Sequence, residues 1–267
     1  MWRTGARGVT GRTGVAAVKL HLVLPPRVEI DLSDTMRSYW HARVAQHVQD
    51  SYLDVPLLKF PEDLRVYEHL LWESAANVVI ELGTKHGGSA LWFQDRLDAF
   101  ERHGRIRDPI VISVDRRQKA ARGAMARVGA SASSVKLIEG DVRDPQLPGV
   151  VADYIPDGAT CFVVEDTAHE FDTTLAALRG FSRFVEPGGY FVVEDGCVDV
   201  EEMRADPTWP RGVLPAIDEF LASPEGEPFA VRRDLERYGM SCHVGGFLQR
   251  RAPSRGRRLF KRSSDVA

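Results

Sequence analysis

Val78-Val79-Ile80-Glu81-Leu82-Gly83-Thr84-Lys85-His86-Gly87-Gly88-Ser89 runs from three β-branched residues through an acid and a glycine-rich turn into a helical pattern. A short β-branched run is what a strand buried on both faces requires. Gly83, Gly87 and Gly88 let the backbone turn tightly and approach a ligand closely, and a helix opening near Ser89 offers unbonded N–H groups. This reads either as a nucleotide-type pocket or as a bare turn in an α/β domain. Glycine serves both, so residues downstream must decide.

Downstream, strand and helix patterns alternate. Ala90, Phe93, Leu97 and Phe100 recur at helical spacing, and Ile110–Val114 is a second apolar run ending at Asp115. Val135–Ile138 leads into Glu139-Gly140-Asp141, Cys161–Val164 into Glu165-Asp166, and Tyr190–Val193 into Glu194-Asp195. Phe229–Val231 and Gly246–Gln249 have no full helical crossover between them and predict an antiparallel edge pair. The expected fold is α/β: a doubly wound, Rossmann-like, mostly parallel sheet of seven strands with helices on both faces.

Upstream, Leu22–Pro26 reads as an extended entry closed by prolines, and Ser33 or Asp34 as the cap of a helix running to about Asp50. A second helix opens at Pro61-Glu62-Asp63, with Leu64, Tyr67 and Leu71 on one face; Lys59, in the loop before it, is either exposed or near what that helix covers. The organisation predicted is a flexible segment over 1–30, accessory helices over 31–76, a catalytic domain over 77–250 and a basic, solvated tail over 251–267.

A net charge of −3 supplies no global field for nucleic acid, and no apolar stretch is long enough to cross a bilayer. Cys161, Cys197 and Cys242 are odd in number and widely spaced, which argues against a disulfide framework or a zinc cluster and fits a soluble cytoplasmic protein.

Ligands of open parallel sheets bind outside the carboxyl ends of the strands, and here those ends carry Glu81, Asp115, Asp141, Asp166, Glu194 and Asp195. Asp115 is placed to accept from a ribose diol and Asp141 from an adenine amino group, although either also reads as a loop acid or helix cap. Asp166, Glu194 and Asp195 follow strands that are neighbours in the usual orders. Three such carboxylates form a hard oxygen site that favours Mg²⁺, with Mn²⁺ or Ca²⁺ as alternatives. His169, three residues beyond Asp166, is a candidate general base or a polar cap.

Lys59-Phe60-Pro61-Glu62-Asp63 with Tyr67-Glu68, Ile80 to Ser89, Glu165-Asp166-Thr167-Ala168-His169 and Gly188-Gly189-Tyr190-Phe191-Val192-Val193-Glu194-Asp195 resemble the cephalosporin hydroxylase and rhamnosyl O-methyltransferase family, from about Lys59 to Arg250. The resemblance implies a class I S-adenosylmethionine methyltransferase fold and a divalent metal. It assigns Asp166, Glu194 and Asp195 as metal ligands, His169 as the base, and Glu81, Gly83, Thr84, Gly87, Ser89, Asp115 and Asp141 to the cofactor. Family members often carry aspartate where this chain has Ala168 and tyrosine where it has His86, which puts the surroundings of the site in question.

The expected activity is Mg²⁺-dependent O-methylation of a deoxysugar hydroxyl, rhamnose-like, on a nucleotide sugar or glycosylated secondary metabolite such as an antibiotic. O-methylation of a phenol or catechol is the alternative. Hydroxylation would call for two histidines and a carboxylate around Fe(II), and hydride transfer for a GxGxxG that the glycines do not form. The expected partner is a small sugar-containing molecule rather than nucleic acid or membrane, and the chain is expected to be a homo-oligomer.

Overall fold

The computed structural model describes residues 35–129 and 135–252. The expected flexible start, the extended Leu22–Pro26, the Ser33 or Asp34 cap and the tail beyond 252 lie outside the described residues.

In chain order the elements are α1 (Met36–His47), β1 (Ser51–Tyr52), β2 (Val55–Pro56), α2 (Pro61–Ser74), β3 (Val78–Leu82), α3 (Gly88–Arg102), β4 (Ile110–Asp115), α4 (Lys119–Val128), β5 (Val135–Glu139), α5 (Leu147–Ala152), β6 (Cys161–Glu165), α6 (Phe171–Phe181), β7 (Tyr190–Val193), α7 (Val213–Leu221), β8 (Phe229–Val231) and β9 (Phe247–Arg250). The cap of α1 is Thr35, whose hydroxyl accepts from the Ser38 amide. The small β1–β2 hairpin has no apolar alternation of its own, so the sequence carries no signal for it.

β3 to β9 form a seven-stranded sheet in the order β5-β4-β3-β6-β7-β9-β8. The strands from β5 to β7 are parallel, and β9 runs antiparallel between β7 and β8. This is the doubly wound, mostly parallel arrangement expected. Period-two alternation sends Val78, Ile80, Val163, Phe191 and Val193 to one face and Val79, Phe162, Val164, Tyr190 and Val192 to the other. α1, α5, α6 and α7 cover the first face, and α2, α3 and α4 the second. With both faces covered, the strands read as continuous apolar runs. Truncating a residue such as Phe162, fully buried in the central β6, to alanine would cost about 3–5 kcal/mol.

The chain order reverses at β3, which pairs with β4 on one side and β6 on the other. Ladder bonds continue past the strand ends here: Gly83 N donates to Val114 O at 2.7 Å, Asp166 N to Leu82 O at 2.7 Å, and Glu194 N to Glu165 O at 2.8 Å. Gly83, Asp166 and Glu194 are therefore fixed side by side at the carboxyl edge.

Candidate active site

A cavity of about 370 Å³ opens at that edge. Gly83, Asp115 and Asp141 line it together with Asp166, His169 and Asp195. Val44, His47 and Val48 of α1 and its C-terminal turn, with Leu58, Trp209 and Pro210, add an apolar side. α1 thus forms part of the site wall.

Gly83 sits at φ +112°, and a Cβ there would lie 1.8 Å from the Asp166 carbonyl oxygen. Glycine is required twice over, for the backbone angle and for the contact between the β3 and β6 ends. That contact sets the glycine turn directly against the acidic cluster. Gly87 also has positive φ, but the space beside it is filled by Ala121 of α4.

Glu81, Thr84, Gly87 and Ser89, expected at the cofactor, do not line the cavity; Glu81, Thr84 and Ser89 brace the loop from behind. Glu81 is fully buried, accepts from the Ser113 hydroxyl and interacts with Ser89. Thr84 Oγ1 lies 2.6 Å from Ser113 Oγ and accepts from Gln118 Nε2 at 2.8 Å. Gln118 also donates to the Ser113 and Ile138 carbonyls, tying β4 and β5 to the loop. Burial pushes Glu81 up to about 7, against Lys59 and Ser113, which stabilise its charge. Neither Ser113 nor Gln118 was singled out from the sequence; a lone polar residue inside Ile110–Val114 was the available signal for Ser113.

Asp115 accepts from the amides of Lys85 at 2.8 Å and Arg117 at 3.0 Å, one on each oxygen, leaving each oxygen a further lone pair. Asp141 differs. Arg143 donates to both its oxygens, at 2.9 and 2.6 Å, and these bonds hold its carboxyl down at about 2.

The middle of the site brings together residues far apart in sequence. His169 Nε2 lies 3.2 Å from Asp195 Oδ2 and 3.8 Å from Asp166 Oδ1. Ligand atoms of Asp166, His169 and Asp195 all fall within 4.8 Å of one another, a spacing one cation can bridge. His169 and Asp195 both have φ of +57°, in the left-handed region that costs of order 1–3 kcal/mol when the surroundings impose it. Burial works against protonating His169, but the charges of Asp195, Asp166, Glu165 and Glu194 prevail and raise its pKa.

Glu194 does not join that trio. It is buried, and both its oxygens accept from Lys59 Nζ, at 2.6 and 2.7 Å. Tyr67 OH adds a bond to Oε1 at 2.7 Å. Lys59 also reaches Asp166 Oδ2 at 2.9 Å. Of the two readings open for Lys59, exposed or near what α2 covers, the second holds, since it is only 3% exposed, packed under the acidic edge. Burial opposes its charge, yet Asp166, Glu194 and Glu81 keep it protonated. Burial pushes Glu194 up to about 7, with Lys59 pulling it back. Burial likewise works upward on Asp166, but Lys59 and His169 bring its pKa below the ordinary value.

Asp63, the acid expected to favour the start of α2, accepts from Ser241 Oγ at 2.7 Å and Cys242 N at 3.0 Å, fastening the segment before β9 to the site. No disulfide is formed, but Cys197 and Cys242 meet beside Asp195 despite their separation in sequence. Among the described residues, no helix is long and apolar enough to cross a membrane.

Residues 44–251 match the family model described as rhamnosyl O-methyltransferase/CmcI. The chain is 26% identical over 220 residues to the rhamnosyl O-methyltransferase of Mycobacterium tuberculosis (strain ATCC 25618 / H37Rv), spanning 79% of this chain and 82% of that protein. It is 27% identical over 212 residues to that of Mycobacterium leprae (strain TN), spanning 75% and 83%. Two CmcI structures share the fold. The apo form has TM-score 0.55 and 22% identity, covering 86% of this chain and 90% of CmcI. The form with Mg and SAM has TM-score 0.54 and 20% identity, covering 85% and 90%. On its sequence, sheet order and strand-end cavity, the chain belongs to the rhamnosyl O-methyltransferase/CmcI family and is an O-methyltransferase.

Proposed function

We propose that the protein transfers a methyl group from S-adenosylmethionine to a hydroxyl of a deoxysugar, rhamnose-like, carried on a nucleotide sugar or a glycosylated metabolite, with a divalent cation, Mg²⁺ by preference, at the site. The observation that carries this reading is the convergence of Asp166, His169 and Asp195 on one wall of a cavity whose neighbouring wall is the Gly83 turn.

The donor set fits a hard cation. Asp166 and Asp195 face the cavity with carboxylate oxygens, and the buried lysine is outnumbered by the strand-end carboxylates around it. Asp166 and Asp195 would hold the ion. Glu194, with both oxygens on Lys59, would enter the set only if Lys59 gave way, and as it stands it anchors Lys59 behind Asp166. When bound, such an ion lowers the pKa of an alcohol that approaches it.

The chain's own residues supply the rest. The Gly83 turn and the free lone pairs of Asp115 suit the amino-acid and ribose parts of the methyl donor, next to the acidic cluster. His169 Nε2 accepts the acceptor's hydroxyl proton, and Asp195 Oδ2, 3.2 Å away, stabilises the imidazolium. The apolar wall of Val44, Val48, Leu58 and Trp209 suits the apolar face of a deoxysugar and excludes water from the reacting oxygen. Methyl transfer is then in line between two fixed reactants.

The test is incubation with methyl-labelled S-adenosylmethionine and a panel of rhamnosides, nucleotide deoxysugars and catechols, with Mg²⁺ or with a chelator. Label in a sugar, lost with chelator, supports the reading. Label confined to catechols would move the substrate to the phenolic class.

A further inference from the structure

Beside the trio that faces a hard cation, Asp195 belongs to a second group with different chemistry. A carboxylate oxygen of Asp195 and the sulfurs of Cys197 and Cys242 all lie within 4.8 Å of one another. Both cysteines line the cavity while remaining buried, at 2% and 6% exposure.

The backbone holds this group together. Cys197 lies in the 3₁₀ turn Gly196–Asp199 directly after β7. A Cβ on Gly196 would lie 2.0 Å from the Val244 carbonyl oxygen, so this glycine lets the turn press against the segment before β9. Cys197 N then donates to Cys242 O at 3.0 Å, and Asp63 holds the Cys242 amide from the other side. The two thiols meet because two backbones are clamped, which leaves little rearrangement for an ion to impose.

We infer that Asp195, Cys197 and Cys242 form a binding site for a thiophilic divalent cation, Zn²⁺ or Cd²⁺, separate in chemistry from the hard-ion site and sharing Asp195 with it. Two sulfurs and one oxygen match the ligand preference of these ions and not of Mg²⁺. Three protein ligands leave a fourth position open, as in catalytic zinc sites rather than in closed structural ones. Each thiol that ligates releases its proton to solvent and binds as thiolate. Because Asp195 cannot serve both ions fully, occupancy here opposes occupancy of the Asp166 and Asp195 site. On the proposed function, the ion is therefore an inhibitor of methyl transfer.

The experiment is titration of Cd²⁺ into the reduced full-length protein in excess Mg²⁺, read by ultraviolet thiolate-to-metal charge-transfer absorption, with no methyl donor or acceptor present. The band is expected to saturate at one equivalent. Cys197→Ser and Cys242→Ser should each weaken the binding at least about tenfold, the low end of what loss of a partner behind a ligand costs, while Cys161→Ser leaves the band unchanged. Absence of a band at one equivalent, or a full band in the Cys197→Ser/Cys242→Ser double variant, overturns the inference. A circular dichroism spectrum of each variant separates loss of the site from loss of the fold. Since the readout needs no turnover, failure of the methyltransferase reading would leave it intact, and an active enzyme without the band would refute the thiol site alone.

Discussion

Lys59 Nζ contacts both carboxylate oxygens of Glu194, at 2.6 and 2.7 Å, and each side chain keeps 2% of its exposure. The pair lies directly behind Asp166, which Lys59 also bonds, so the floor of the site is a buried ion pair whose cation braces a cavity-facing acid. Replacing Lys59 by methionine leaves buried carboxylates uncompensated and should cost about 3–5 kcal/mol of stability. Chemical denaturation measures this. Adding Glu194→Gln to Lys59→Met should restore part of the loss, and strictly additive effects would contradict the pairing.

His169 and the acids beside it should separate by kinetic signature. His169→Gln should lower kcat by about 10²–10⁴-fold with S-adenosylhomocysteine affinity nearly unchanged, because the base acts in chemistry rather than docking. Asp195→Asn tolerates the left-handed backbone of that position and should keep the fold while weakening the divalent ion, so its activity should recover in part as Mg²⁺ is raised. Steady-state kinetics over a Mg²⁺ series distinguishes the two.

Gly83→Ala places a Cβ where the Asp166 carbonyl oxygen stands, on a backbone angle that alanine adopts at a cost. Both the cofactor turn and the acidic cluster should shift, so affinity for S-adenosylhomocysteine and for the ion should fall together. Gly188→Ala is a useful control, because its φ is also positive but nothing lies within 4 Å of the added Cβ. Calorimetry should find cofactor affinity unaltered in that control.

Glu81 predicts a pH dependence of stability. Burial raises its folded-state value to about 7, above the ordinary 4.5 of an unfolded chain, so the folded state binds the proton more tightly. Its contribution is fully present below the unfolded value, declines as pH rises and is gone above the folded value. Glu194 acts in the same direction. Glu81→Gln should flatten the decline between about pH 5 and 7, followed by thermal melts in chelator. A steeper decline in the variant would contradict the burial argument.

The parallel strands and their order of acids were legible because both-face burial leaves unbroken apolar runs, each punctuated by the residue that faces the ligand edge. Side-chain direction was not. Glu81 and Thr84 sit in or beside the glycine turn's own sequence, yet meet Ser113 and Gln118, and a partner in a distant segment leaves no local trace. Glu194 and Asp195 are adjacent in sequence but part company because Asp195 takes the left-handed backbone, which directs one acid to Lys59 and the other to His169. The burial of Lys59 and the meeting of Cys197 with Cys242 depend on contacts with distant segments, which spacing alone does not carry.

Calorimetric titration of S-adenosylhomocysteine shows whether the Gly83 turn holds S-adenosylmethionine against a divalent-ion site. The protein should bind one molecule per chain with or without Mg²⁺, and Asp115→Ala should weaken binding by about 1.5–3 kcal/mol, the worth of hydrogen bonds to a charged group. No binding in either condition, or binding indifferent to both Asp115→Ala and Gly83→Ala, would contradict it.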